Sequence, residues 1–345
     1  MDTNTNETNV FTPAFTETPQ SDKFVLSEEN YYSEQANLDY MSVSQFKDFA
    51  GTLMHAGCEE TACKKLHNMI PNIKTESLLV GSYVDAFYEG TLDAFKDENR
   101  DDICTKTSIK AFEKSHDVNS LQLLAPFKQA ENIIRKTTQD ALFSEYMSGE
   151  KQVIMSAELF GIPWKIKMDS YHPGDKIVDL KVMKSMDPMW SDKNHMKSDF
   201  IRYWGYDIQG AVYQKIVELV TGQKLPFFIA CATKEKVTNI EIIQIDQEYL
   251  DDALEFVKQN IDHVIDVKTG KVAPAPCGTC YWCRSAKTLT NPIRMSSIVP
   301  KPTVSNEELE YAAMAESGEL EETDTSDAGE TVFGTAPAMP FHLFG

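Results

Sequence analysis

The chain has 345 residues, 42% of them hydrophobic and 25% charged, the balance of an ordinary globular protein. No run approaches the roughly 20 apolar residues of a membrane span, and the polar first residues hold no apolar signal-peptide core, so a soluble cytoplasmic protein is expected. The net charge of −20 argues against a nucleic-acid partner.

The elements, taken in chain order, weaken that exclusion. Residues 1–30 carry six acids and one Lys, are rich in Thr, Asn and Glu, and have no periodicity, which is the composition of a disordered arm. Met41 to Ala50 reads as a helix, with Ser42 and Ser44 as N-cap candidates. Leu78 to Gly90 is a second helix and carries Asp85, and residues 121–147 form a third helical region. The pattern then changes to strands at Gln152 to Leu159, Trp164 to Tyr171 and Lys176 to Val182. The turns between them are Phe160-Gly161-Ile162-Pro163 and His172-Pro173-Gly174-Asp175. Tyr203 to Thr221 is a helix ended by Gly222. Strands at Pro226 to Thr233 and Asn239 to Ile245 and a helix at Gln247 to Val267 follow.

Residues 303–345 hold ten Asp or Glu and no Lys or Arg, and read as an acidic disordered tail. Its apolar tip, Met339 to Phe344, is either a docking peptide or a frayed end. The arm contributes −5 and the tail −10, which leaves about −5 for the remaining 31–302. The folded part is only mildly acidic, so a nucleic-acid partner stays admissible. The order of elements predicts an α/β (α+β) domain over 31–302, with a mixed central sheet flanked by helices.

Asp179 and Lys181 stand two apart on one strand and therefore face the same side. The Pro173-Gly174 turn folds Asp169 back beside them. Asp-x-Lys alone is common and usually a surface ion pair. Here the pair interrupts an apolar run, Ile177-Val178-Asp179-Leu180-Lys181-Val182, where unpartnered charges are costly. Two carboxylates can hold a hard divalent cation such as Mg²⁺ or Mn²⁺ against a phosphodiester, and an ammonium can orient the attacking water or stabilise developing charge.

Seven cysteines and no secretory signal make a disulfide framework unlike this chain. Cys277, Cys280 and Cys283 crowd one stretch after Pro274 and Pro276, a spacing that lets thiolates converge on one metal. Three ligands call for a distant fourth. Cys104 and Cys231 read as ordinary core or surface cysteines.

Met168-Asp169-Ser170 followed by Ile177-Val178-Asp179-Leu180-Lys181 resembles the Asp…(Asp/Glu)-x-Lys core of the PD-(D/E)XK superfamily. Within it, Tyr31 to about Leu289 is similar to RecB-like and RecE-like exonucleases of the exodeoxyribonuclease VIII type. The resemblance implies a restriction-endonuclease-like core and a Mg²⁺- or Mn²⁺-dependent exonuclease acting on duplex DNA ends in the 5′→3′ direction. It also implies a role in phage or bacterial recombination, with a single-strand annealing recombinase as partner. Gln209 and Tyr213 match its Gln-x-x-x-Tyr motif, whose i, i+4 spacing puts both on one helix face toward DNA or a bound phosphate. Gly81-Ser82-Tyr83-Val84-Asp85 resembles the upstream helix that supplies a metal-binding acid, here Asp85. Glu158 and Lys167 become candidates for supporting the metal or guiding DNA, with Lys165 on the same strand face as Lys167. Iron–sulfur members of the group carry one Cys before the core and three after it. That implies Cys58, with Cys63 as the fallback, joining Cys277, Cys280 and Cys283 around a 4Fe–4S cluster, with Zn²⁺ as the alternative. A catalytically inactive member of the same fold, acting in DNA binding or assembly, is the rival, and oligomers are compatible with either.

Overall fold

A computed structural model describes residues 26–70, 75–117 and 120–297. Most of the arm predicted over 1–30, and the whole tail over 303–345 with its apolar tip, lie outside the described residues. The chain divides into two units, Met1–Lys287 and Thr288–Gly345, and the first carries everything below.

Helices fill the first half: α1 (Glu34–Asp39), α2 (Val43–Ala50), α3 (Glu59–Leu66), α4 (Glu76–Glu89), α5 (Leu92–Glu98), α6 (Arg100–Ile103), α7 (Lys106–Ser115), α8 (Ala125–Gln139) and α9 (Ala141–Tyr146). The strands β1 (Val153–Leu159), β2 (Ile162–Met168), β3 (Ser170–His172) and β4 (Lys176–Met183) come next, then a small hairpin of β5 (Met189–Ser191) and β6 (Met196–Ser198). Helices α10 (Phe200–Trp204) and α11 (Tyr206–Thr221), strands β7 (Phe227–Thr233) and β8 (Ile240–Gln244), and helices α12 (Gln247–Lys268) and α13 (Tyr281–Ser285) complete the unit. No helix among the described residues is long and apolar enough to cross a membrane.

The order β3-β4-β7-β8 makes the central sheet, with β4 and β7 parallel and the outer pairs antiparallel. The predicted mixed sheet flanked by helices is the observed architecture. The predicted run of three antiparallel strands differs in one respect. Trp164 to Tyr171 is broken at Asp169 into β2 and β3, so β1–β2 forms its own hairpin. Two predicted helices are also divided. Asp140 caps α9 through the Phe143 amide at 2.9 Å and separates it from α8. Gly205, at φ 65°, separates α10 from α11.

Strand β4 is apolar on both faces because both are covered. Val178 and Leu180, with Ala230 and Ala232 of β7, pack under α4, α8 and α9. Ile177, with Phe227, Ile229 and Cys231, packs under α2, β2, α11 and α12. Each large apolar side chain buried this way contributes roughly 1.5–3 kcal/mol. Gly210 is what lets α11 lie close: a Cβ there would meet Phe227 of β7 at 2.7 Å and Leu250 of α12 at 2.8 Å. Helix α4 starts at its Thr75 cap, whose hydroxyl accepts from the Leu78 amide at 3.2 Å, and stops at left-handed Gly90.

Candidate active site

A cleft of about 1060 Å³ opens over the α2/α11 face of the central sheet. Asp179 and Lys181 reach it from β4, paired in register with Ile229 and Cys231 of β7. Asp179 is buried, and its Oδ2 forms an ion pair with Lys181 Nζ. Asp169 occupies the break between β2 and β3. Its Oδ2 accepts the Leu180 amide of β4 at 2.8 Å, so a carboxylate takes the hydrogen bond that a continuous strand would have made. Asp85 enters from α4, and Glu89 lies one turn further along the same helix.

These acids stand deep among protein atoms yet keep a solvent-facing edge. Burial, and then the Asp179 carboxylate, push Asp169 up to about 7 against the pull of Lys181 and the Leu180 amide. Burial, and then Asp169, raise Asp85 well above the carboxylate range. Burial alone would lower Lys181, but Asp179 and Asp169 outweigh it and its pKa is raised. A cation among these acids would favour the charged forms of Asp169 and Asp85 that burial and crowding disfavour. Asp85, Asp169 and Asp179 line one cleft, and carboxylate oxygens are the donors that a hard divalent ion takes.

Helix α11 supplies the next layer. Gln209 Nε2 donates to Asp179 Oδ1 at 2.5 Å. The Tyr213 hydroxyl donates to the Lys167 carbonyl at 3.1 Å and ties α11 to β2. Tyr213 is largely buried where it lines the cleft, with its hydroxyl engaged on that carbonyl. Lys167 lines the cleft, with Nζ 5.3 Å over the Tyr32 ring.

One predicted participant lies elsewhere, and a second lines the cleft with its ammonium already engaged. Glu158 is exposed and pairs with Pro163, while Val153 at the opposite end of β1 pairs with Met168 beside Asp169. Five residues of strand, roughly 16 Å, separate Glu158 from the carboxylates. Lys165 is buried and committed to the N-terminal segment, donating to the Tyr31 carbonyl at 2.5 Å and Asn37 Oδ1 at 2.8 Å.

Sequence reasoning missed four lining residues. Gln152, just before β1, donates to Asp169 Oδ1 at 3.4 Å. Lys47 of α2 donates to the Trp204 carbonyl at 2.9 Å, and burial, then Lys181, lower it to about 8. Lys47 and Lys181 stand 5.8 and 5.3 Å over the ring of Tyr206, the third. Glu89 follows Asp85 by four residues, so helical spacing alone could have flagged it. The other three are assembled by tertiary contacts.

The cysteines form a second centre. Among the described residues, Cys58, Cys277, Cys280 and Cys283 are the group whose donor atoms all lie within 4.8 Å of one another. The Cys58 and Cys283 sulfurs are 3.5 Å apart, Cys280 and Cys58 3.8 Å, and Cys277 and Cys283 4.0 Å. The Cys280 amide donates to Cys277 Sγ at 3.2 Å and the Cys283 amide to Cys280 Sγ at 3.4 Å, which orients the thiolates inward. Burial opposes the thiolate at Cys277, but the Thr279 hydroxyl and the Cys280 amide outweigh it and bring its pKa down to about 6. Cys63 stays outside the group; burial, then Glu59, push its thiol up to about 11. Cys104 and Cys231 are buried in the core.

A mixed sheet with an Asp…Asp-x-Lys cleft over one face defines a PD-(D/E)XK-type domain. The chain belongs to the family described as "PDDEXK-like domain of unknown function (DUF3799)", whose profile matches residues 42–286. A crystal structure of a "Putative exonuclease" from Eubacterium rectale is 49% identical, with a TM-score of 0.72, over 80% of this chain and 98% of that chain. The structure of SSO0001 matches 72% of this chain and 96% of that chain at 10% identity and a TM-score of 0.24, too low to carry an argument. No curated protein matches the chain.

Proposed function

We propose that the protein is a metal-dependent deoxyribonuclease that removes nucleotides from duplex DNA ends. The observation that carries this reading is the pairing of Asp179 with Lys181 on β4, beside an Asp169 carboxylate held on the intervening Leu180 amide. A divalent cation, Mg²⁺ or Mn²⁺, held by Asp85, Asp169 and Asp179 would polarise a phosphoryl oxygen and acidify a water. Lys181 orients that water and faces the charge that develops on the phosphate. Gln209 fixes the Asp179 carboxylate, and Tyr213 fixes the helix that carries Gln209. Lys167 draws a phosphate toward the cleft. The name borne by the Eubacterium rectale relative favours attack from ends. A 5′→3′ direction, service to an annealing recombinase and a cytoplasmic setting extend the same reading from the family resemblance. End-labelled linear duplex should be degraded and closed circular duplex spared when Mg²⁺ is present. Rapid linearisation of closed circles would instead mark an endonuclease.

For the four cysteines we propose one tetrahedral ion, zinc, in place of the 4Fe–4S cluster that the resemblance implies. Thiolates 2.3 Å from one Zn²⁺ stand roughly 3.8 Å apart, which the sulfur separations support. A 4Fe–4S cubane carries its four irons at alternate corners, one thiolate on each, and so holds the thiolates farther apart. Such an ion ties α3 to α13, far apart in sequence, and is structural.

A further inference from the structure

The thiol knuckle does more than join two segments. Trp282 lies between the ligand positions Cys280 and Cys283 on α13, and its side chain lines the same cleft as Asp169, Asp179 and Lys181. It is only half-buried, so the ring is neither core nor free surface. The neighbouring ring of Tyr281 meets it edge-on at 5.1 Å. Tyr32 also lines the cleft; it is 72% exposed and stands edge-on to Tyr31 at 4.9 Å. The cleft's 1060 Å³ exceeds the space that one reacting phosphate requires, and matches the upper end of pockets that enclose a drug-sized ligand. Exposed Arg284 and Lys287 follow Trp282 closely in sequence and offer two cations that a phosphate oxygen can take.

We propose that Trp282 is a base-stacking platform that positions the single-stranded end of DNA running into the cleft, with Tyr32 as a second ring on the path. The proposal rests on the nuclease reading above. Ring faces serve this purpose because every base has a π-face, so stacking holds a strand without reading its sequence. Mounting the ring between two thiolate ligands gives it a fixed height over the cleft, so the knuckle shapes the substrate path as well as the fold.

The test compares Trp282→Leu, which keeps apolar bulk but no ring, with Trp282→Phe, which keeps a ring. Binding of a fluorescent single-stranded oligonucleotide is measured by anisotropy on metal-loaded full-length protein, with Ca²⁺ replacing Mg²⁺ to suppress cleavage. Trp282→Leu should weaken binding roughly 5- to 100-fold, the range for loss of one base–aromatic stack. Trp282→Phe should keep most of the affinity, and metal content at the cysteines should be unchanged in both. A scan of single abasic positions should find one whose removal weakens the wild type but not Trp282→Leu. Equal affinity for wild type and Trp282→Leu overturns the platform, as does an equal loss in both variants with no such abasic position. Wild-type protein that neither binds nor cuts DNA overturns the nuclease reading itself.

Discussion

Gln209 Nε2 lies 2.5 Å from Asp179 Oδ1 and so joins helix α11 to the central strand at the base of the cleft. The contact depends on Gly210, the next residue, which has no Cβ to hold α11 off β7. Gln209→Ala should lower nuclease turnover roughly 10- to 100-fold, the usual cost of removing a group that orients a metal-binding side chain. The fold should remain, since Gln209 is only partly buried. Steady-state rates at saturating Mg²⁺, with a circular-dichroism melt, check both points.

The cysteine centre makes a compositional prediction. Purified protein should be colourless and hold about one zinc per chain. Cys280→Ser should lose that metal and lower Tm by roughly 10 °C, as removal of a few kcal/mol does in a domain of this size. Activity should fall with the folded fraction. Brown protein containing four irons per chain would restore the cluster, and metal-free protein with unchanged Tm would remove the site.

Asp207, fully buried at the start of α11, provides a pH-dependent stability term. Its Oδ1 accepts the Ile208 amide at 2.9 Å, while burial pushes its pKa from 3.8 up to about 7. Between those values the folded state holds a proton that the unfolded state has released. Stability from this group is therefore full below about pH 4 and is lost as pH rises to about 7. Asp207→Asn should flatten the fall in stability across that window. Urea melts at pH 5 and pH 8 would show it, and an unchanged difference between the two pH values would exclude the role.

Much of this was legible in the chain. The Ile177–Val182 run predicts an apolar strand in which charges need partners, and the period-two rule puts Asp179 and Lys181 on one side. What failed had identifiable causes. The sequence pattern runs a strand straight through Asp169, because nothing local shows that its side chain, not its backbone, meets Leu180. Glu158 shares the hairpin with the strand that leads to Asp169, but it sits at the turn end of the ladder, away from the carboxylates. Lys47 and Trp282 belong to short helices whose neighbours lie more than 100 residues away, so no spacing rule reaches them.

The most direct test of the central claim is the rate at which Asp179→Ala and Lys181→Ala degrade linear duplex DNA with Mg²⁺ present. The two side chains form one ion pair at the base of the cleft, and each removal should lower the rate at least roughly 100-fold, the lower end of what a positioned proton-transfer group contributes. Both variants should keep the wild-type circular-dichroism spectrum and cysteine-bound metal. A folded, metal-loaded variant of either kind that degrades linear duplex at near the wild-type rate would contradict the account.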